Sequence, residues 1–214
     1  MNADVLELYL STLRNDVDPL LEQIETYARE QRIPIMEKQS MDVLISLLKI
    51  KDATRLLEIG TAIGYSAIRM AQALPGSRIV TVERDAERIA LAQAYVKKAS
   101  LTGQIRLIQG DAREKKDEIE AFAPFDAIVI DAAKGQYRPL FDCCSNMLFP
   151  GGIIVTDNVF FRGLVADKKE APKKFRTIVN RLRDFNRYLA SHPDFDTSFY
   201  PIGDGLAVSI SVKK

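Results

Sequence analysis

Five short apolar or β-branched runs, each ending on or within three residues of an acid, constrain this chain more than any other feature. They cover residues 55–59, 78–83, 105–108, 125–131 and 152–157, and helical spacing fills 66–74, 86–99 and 137–148 between them. Such alternation predicts an α/β fold with a mostly parallel sheet covered on both faces. The C-terminal part departs from it. Residues 175–189 read as a long basic helix. Residues 195–201 and 206–212 read as two strands linked through Gly203-Asp204-Gly205, an antiparallel hairpin added to the sheet. Ahead of the first run, Leu6, Leu10 and Leu13, then Leu20, Leu21, Ile24, Tyr27 and Ala28, then residues 41–48, recur at helical spacing, with a break at Pro34. No repeat or linker divides the chain. A single domain over 1–214 is expected, with N-terminal helices over 1–50 and an α/β core over 51–214.

Composition removes several function classes. Thirty Lys and Arg against twenty-nine Asp and Glu give a net charge of +1, so no general polyanion-binding surface is indicated. The charge is uneven, however. Residues 160–214 carry eleven Lys and Arg against six Asp and Glu, which leaves the remainder at −4. That balance suits a phosphate-contacting surface and equally a solvated helix face. Cys143 and Cys144 are neighbours and are expected to pack on an apolar helix, with no disulfide framework and a reducing cytoplasm. The single histidine, His192, sits in a turn-like Ser-His-Pro-Asp and argues against a His-rich metal site or a Ser-His-Asp enzyme. No apolar run reaches the roughly 18 residues of a membrane span, and Met1-Asn2-Ala3-Asp4 does not open like a secretory leader. A cytoplasmic protein without a membrane partner is expected.

Ligands of open parallel sheets collect at the carboxyl ends of the strands. There this chain has Glu58, Glu83, Asp111, Asp131 and Asp157. The first turn, Glu58-Ile59-Gly60-Thr61-Ala62-Ile63-Gly64-Tyr65-Ser66, has its glycines four apart and lacks a P-loop lysine. It is therefore neither dinucleotide fingerprint nor Walker motif. Glu58 would repel a pyrophosphate and suit an amino group or cation. Glu83, nineteen residues beyond Gly64, is placed to accept ribose hydroxyls, and Asp111 to meet an adenine edge. A nucleoside with a cationic, amine-bearing tail, S-adenosylmethionine, fits these acids better than a nicotinamide dinucleotide. Asp131, Asp157 and Asn158 form a hard oxygen set for Mg²⁺, Mn²⁺ or Ca²⁺, unless Asp157-Asn158 merely caps a turn. Lys134, beside such an ion, would have its ammonium form disfavoured and could serve as a base; otherwise it is a solvated loop lysine. Residues 159–165 are apolar for a loop and could wall a substrate pocket.

On these residues the chain resembles the cation-dependent class I O-methyltransferases, the group of the catechol and caffeoyl-coenzyme A enzymes. Leu57 through Ser66 matches their cofactor motif. Phe125-Asp126-Ala127-Ile128-Val129-Ile130-Asp131-Ala132-Ala133-Lys134 matches their metal strand, Asp157-Asn158-Val159 the second metal segment, and Gly203-Asp204-Gly205-Leu206 a C-terminal signature. Within the group it looks most similar to the bacterial tRNA 5-hydroxyuridine methyltransferases, through Pro34-Ile35-Met36-Glu37-Lys38, Asp131 to Tyr137, and Asp157 to Ala166. The resemblance implies a Rossmann-like, seven-stranded fold and metal ligation by Asp131, Asp157 and Asn158. It implies cofactor contacts from Met36, Glu58, Gly60, Tyr65, Ser66, Glu83, Asp111, Ala112 and Asp131, and places Lys134, with Asp131, at the catalytic position. It implies a homodimer, and methylation of 5-hydroxyuridine at the wobble position of the tRNA anticodon to 5-methoxyuridine. Lys38, Arg162, Lys174, Arg181 and Arg183 are then the candidate RNA contacts. Two alternatives stand beside it: a small-molecule catechol or phenol O-methyltransferase, and a non-catalytic RNA-binding protein on a methyltransferase fold.

Overall fold

A computed structural model describes residues 9, 12, 13, 18–167 and 171–213. Leu6 and Leu10 of the expected first helix, and Lys168 and Lys169 of the basic stretch, lie outside them. Two helices open the described chain. Pro19–Glu30 (α1) begins where Asp18 accepts the Leu20 N–H at 2.7 Å, with proline at the first helical position. Lys38–Ile50 (α2) follows the break at Pro34.

The described strands form one seven-stranded sheet: Arg55–Ile59 (β1), Arg78–Glu83 (β2), Ile105–Gln109 (β3), Phe125–Ile130 (β4), Leu148–Thr156 (β5), Phe195–Tyr200 (β6) and Leu206–Ser211 (β7). The order is β3-β2-β1-β4-β5-β7-β6, parallel through β5, with β7 antiparallel to both β5 and β6. The connecting helices are Tyr65–Ala73 (α3), Ala86–Lys98 (α4), Lys116–Glu120 (α5), Tyr137–Cys144 (α6) and Arg176–Ala190 (α7). The expected mostly parallel sheet and terminal hairpin are both present. None of the helices among the described residues is long and apolar enough to cross a membrane.

Alternate residues of the central strands feed two separate cores. Leu56, Ala127, Val129, Ile153 and Val155 pack beneath α1 to α4 on one face. Leu57, Ile128, Ile130 and Ile154 pack with residues of α6 and α7 on the other. Coverage of both faces explains why these strands read as unbroken apolar runs.

Three boundaries differ from the sequence reading. The helix expected over 137–148 stops at Cys144, and a 3₁₀ turn over Ser145–Met147 follows. β5 starts at Leu148 instead of Gly152. Leu148 already pairs with Phe125, across a register shift, and exposed Pro150 falls in the irregular part, where its missing N–H breaks no regular ladder. The one-turn α5 was not expected.

Strand order reverses between β1 and β4, and this switch point opens the crevice. The two strand exits are pressed together. Asp131 N–H donates to the Ile59 carbonyl at 2.9 Å, and a Cβ on Gly60 would lie 1.9 Å from the Asp131 carbonyl oxygen. With φ at +106°, this position requires glycine on two counts.

Candidate active site

A cavity of about 450 Å³ lies over the carboxyl ends of β1, β2, β3 and β4. Pro34, Ile35 and Met36, from the segment between α1 and α2, close one side, and Ile178 of α7 reaches in from another. Of the expected cofactor residues, Met36, Gly60, Tyr65, Ser66, Glu83, Asp111, Ala112 and Asp131 all line it.

Glu58 does not. It is fully buried below the floor, and its two oxygens accept hydrogen bonds from the Ser66 and Thr81 hydroxyls. Thr61 adds a third hydroxyl, 2.5 Å from that of Thr81. Burial lifts the Glu58 carboxyl to about 7, against the pull of Ser66 and Thr81. Glu58 thus stands one side chain back from the cavity, behind Ser66.

Glu83 is anchored by the Ala62 N–H at 2.9 Å on one oxygen and the Asp85 N–H at 3.0 Å on the other. Both bonds come from backbone, so the carboxylate is held at the cavity wall with lone pairs left for a vicinal diol. Asp111 is clasped by Arg113, which donates from Nε at 3.0 Å and Nη2 at 2.8 Å and holds its carboxyl below the usual range. Arg84, Arg88 and Arg113 also line the cavity, and the sequence reading had not singled them out. Arginines following strand-end acids carry no signal of their own.

The second constellation forms where β4 and β5 exit side by side. Asp157 N–H donates to the Ile130 carbonyl at 3.1 Å, which aligns the two exits. Asp131 and Asn158 line the cavity, and Asp157 is sealed at 0% exposure behind them. Both Asp157 carboxylate oxygens lack a hydrogen-bond partner. Burial first, then the Asp131 charge, push its carboxyl up to about 8; burial, opposed by Lys134, brings Asp131 to about 6. A sealed carboxylate with no side-chain donor, beside a second acid at the cavity edge, is costly unless a cation sits with them. Two carboxylates and the Asn158 amide oxygen fit a hard divalent ion and not a soft one. Among the described residues no three His, Cys, Asp or Glu side chains cluster, so any such ion here depends on that amide as third donor. Asn158 sits in the left-handed region at φ +58°, and its Oδ1 accepts from the Lys134 ammonium. Lys134 also lies 5.9 Å from the Phe161 ring centre. It is thus a cavity residue and not a solvated loop lysine.

The loop after Asn158 is fixed from two sides, by the link between β6 and β7 and by α7. Val159 and Phe160 N–H groups donate to the Gly205 and Asp204 carbonyls at 3.1 and 2.9 Å. A Cβ on Gly205 would fall 2.4 Å from the Phe160 ring, which explains the glycine of the hairpin link. Arg183 donates to the Val165, Leu164 and Asp167 carbonyls at 3.0, 3.2 and 2.6 Å. Arg183 therefore ties α7 to the loop. Lys38 is likewise paired, with Glu25 at 2.6 Å. Arg162 gives its N–H to Asp204, Lys174 lies 4.7 Å over the Phe175 ring, and Arg181 lies across Gly135, where a side chain would sit 2.9 Å from its Nη1. His192 packs among Phe141, Tyr188 and Phe195, and Cys144 is buried beside half-buried Cys143.

Comparison with known proteins agrees with this geometry. A family model described as O-methyltransferase matches residues 12–212. The chain is 33% identical to catechol O-methyltransferase of Niastella koreensis, covering 98% of this chain and 99% of that one. It is 29% identical to caffeoyl-CoA O-methyltransferase of Populus kitakamiensis, over 82% and 76% of the two chains. Among solved structures, O-methyltransferase TomG of Streptomyces achromogenes, in complex with S-adenosylmethionine, is similar with a TM-score of 0.85 at 26% identity, covering 98% and 96%. The O-methyltransferase of Bacillus cereus, in complex with S-adenosylhomocysteine, gives 0.84 at 27%, covering 97% of each.

Proposed function

This chain belongs to the O-methyltransferase family, and on that premise we propose that it methylates the hydroxyl of 5-hydroxyuridine in tRNA with the help of a divalent cation. It is an S-adenosylmethionine-dependent O-methyltransferase of the catechol and caffeoyl-CoA type; the cation and the RNA substrate are the proposal. The observation that carries it is Asp157, a sealed carboxylate with two bare oxygens beside Asp131.

In this reading Asp131, Asp157 and Asn158 hold Mg²⁺ or a similar ion. When bound, the ion lowers the pKa of a substrate hydroxyl and orients it, and the sulfonium supplies the methyl group. Glu83 orients the ribose and Asp111 the adenine edge. Ser66, backed by Glu58, meets the polar tail. Lys134, having first released its own ammonium proton to solvent, would receive the hydroxyl proton at Nζ. Pro34 to Met36 exclude water from above. No covalent enzyme intermediate is needed, since the chain's work is positioning.

A 5-hydroxyuridine and a catechol both offer two vicinal oxygens, so the metal site alone does not separate them. Charge at the rim supports the RNA. Arg181 lies beside the Lys134 turn, its Nη1 against Gly135, and has no hydrogen bond or ion pair among the described residues. The match to a catechol enzyme at 33% identity favours a second reading, a small phenol as substrate. A homodimer in the cytoplasm completes the proposal.

Labelled S-adenosylmethionine, Mg²⁺ and total RNA from a strain lacking the gene distinguish the two. Labelled 5-methoxyuridine, identified by mass spectrometry, is the expected product. Reversing Lys174 and Arg181 to Glu raises the Michaelis constant for tRNA and leaves that for pyrocatechol unchanged. Label appearing in an added phenol and never in RNA would overturn the tRNA reading.

A further inference from the structure

Tyr65 opens α3 and lines the cofactor cavity, but its hydroxyl is engaged by other helices. It donates to Oε1 of Glu25 on α1 at 2.8 Å and accepts from Nη1 of Arg69 at 3.3 Å. Burial, against the pull of Arg69, lifts the phenol to about 12, so it keeps its proton for Glu25. The other oxygen of Glu25 pairs at 2.6 Å with the ammonium of Lys38, the first residue of α2. One carboxylate, only 13% exposed, thus joins three helices. Arg69 adds a second tie between α3 and α2, donating to Asp42 at 2.9 Å.

These ties bear on the cover of the cavity. Pro34, Ile35 and Met36 bridge α1 and α2 and close one side. The flanking backbone bonds run from the Ile33 N–H to the Ala28 carbonyl at 2.8 Å and from the Met41 N–H to the Glu37 carbonyl at 2.9 Å. Among the described residues, no hydrogen bond holds Pro34, Ile35 or Met36 themselves. Their place over the cavity is therefore set by the helices on either side, and release of a cofactor past them requires those helices to give. The two bonds of Glu25 are unequal. Lys38 is 51% exposed, so its pair contributes little. The bond from Tyr65, a residue 1% exposed, is charge-assisted and poorly screened. We propose that Glu25 is a positioning residue of the cofactor cavity, its carboxylate holding Tyr65 at the wall and, with Lys38, the start of α2 beneath the cover, so that bound cofactor leaves slowly. Neither the cation nor the RNA enters this role.

The test follows release of radiolabelled S-adenosylhomocysteine from the full chain, chased with excess unlabelled compound. Glu25→Ala should release it about tenfold faster than the wild type. Glu25→Gln keeps an acceptor for the phenol and should restore slow release. Tyr65→Phe keeps the ring and removes only the hydroxyl. It should match Glu25→Ala, and the two changes together should act no faster than either, as partners in one bond do. Gln72→Leu cuts a different tie between α3 and α1, the 2.6 Å bond from Gln72 to Asp18, and should release at the wild-type rate. Wild-type release in Glu25→Ala or in Tyr65→Phe, or equal acceleration in Gln72→Leu, overturns the role of Glu25.

Discussion

Glu58 shows how much a single side chain's direction decides. As a strand-end acid in a glycine-bearing turn it reads as a ligand contact, yet its carboxylate faces the hydroxyls of Ser66 and Thr81 and never meets the cavity. Strand alternation says which face a residue takes, not whether a neighbour already occupies its oxygens. The same holds for Arg183 and Lys38, whose charges were legible and whose partners were not. Glu58 also makes a pH prediction. Its carboxyl titrates near 4.5 in the unfolded chain and near 7 in the fold. Below the lower value both states hold the proton and nothing is lost. Between the two values the unfolded chain has released its proton while the fold still holds it, so stability falls as pH rises across that window, by about 3 kcal/mol in all, and levels off once the folded acid ionises above 7. In urea unfolding across that range, Glu58→Gln should remove most of this decline relative to wild type. Parallel pH curves for the two proteins would show that Glu58 does not carry it.

At the level of elements, the regular parts were readable because periodicity and burial agree there. β1, β2 and β4 appear at or within one residue of their expected ends, and the hairpin of β6 and β7 follows from two strand patterns around Gly203-Asp204-Gly205. β5 was shortened because Leu148-Phe149-Pro150-Gly151 carries turn signals that pairing with β4 overrides. The loop after β5 was read as apolar and placed beside the site, but its rigidity was not. Phe161, Arg162 and Gly163 are successive left-handed residues, at φ +45°, +56° and +74°. Two of these are unfavourable for their residue types and persist only where surroundings enforce them. Arg183 and the Asp204 carboxylate supply that enforcement. Arg183→Ala should therefore leave the sheet intact while amide exchange over residues 159–167 accelerates by at least about tenfold, as expected when charged hydrogen bonds worth about 1.5–3 kcal/mol each are removed. Unchanged exchange in that segment would mean that the loop holds its shape without α7.

Across the whole molecule, one sheet with a core on each face brings five strand-end acids to a single edge, and the sequence already displayed them as a series. The fold divides their work. Glu83 and Asp111, at the ends of β2 and β3, line the part of the cavity suited to a nucleoside, with Glu58 of β1 behind Ser66. The acids of β4 and β5 converge with Asn158 and Lys134, where a hydroxyl would be prepared for methylation. One basic side chain of α7, Arg181, lies against Gly135 beside that second part, within the stretch 160–214 that carries the excess of positive charge. The measurement that bears most directly on this arrangement is the rate of methyl transfer by the wild-type protein in excess chelator and after Mg²⁺ is restored, on whichever of hypomodified tRNA or pyrocatechol it accepts. Turnover that vanishes with the ion and returns with it is the predicted result; full turnover in excess chelator would contradict a cation held by Asp131, Asp157 and Asn158.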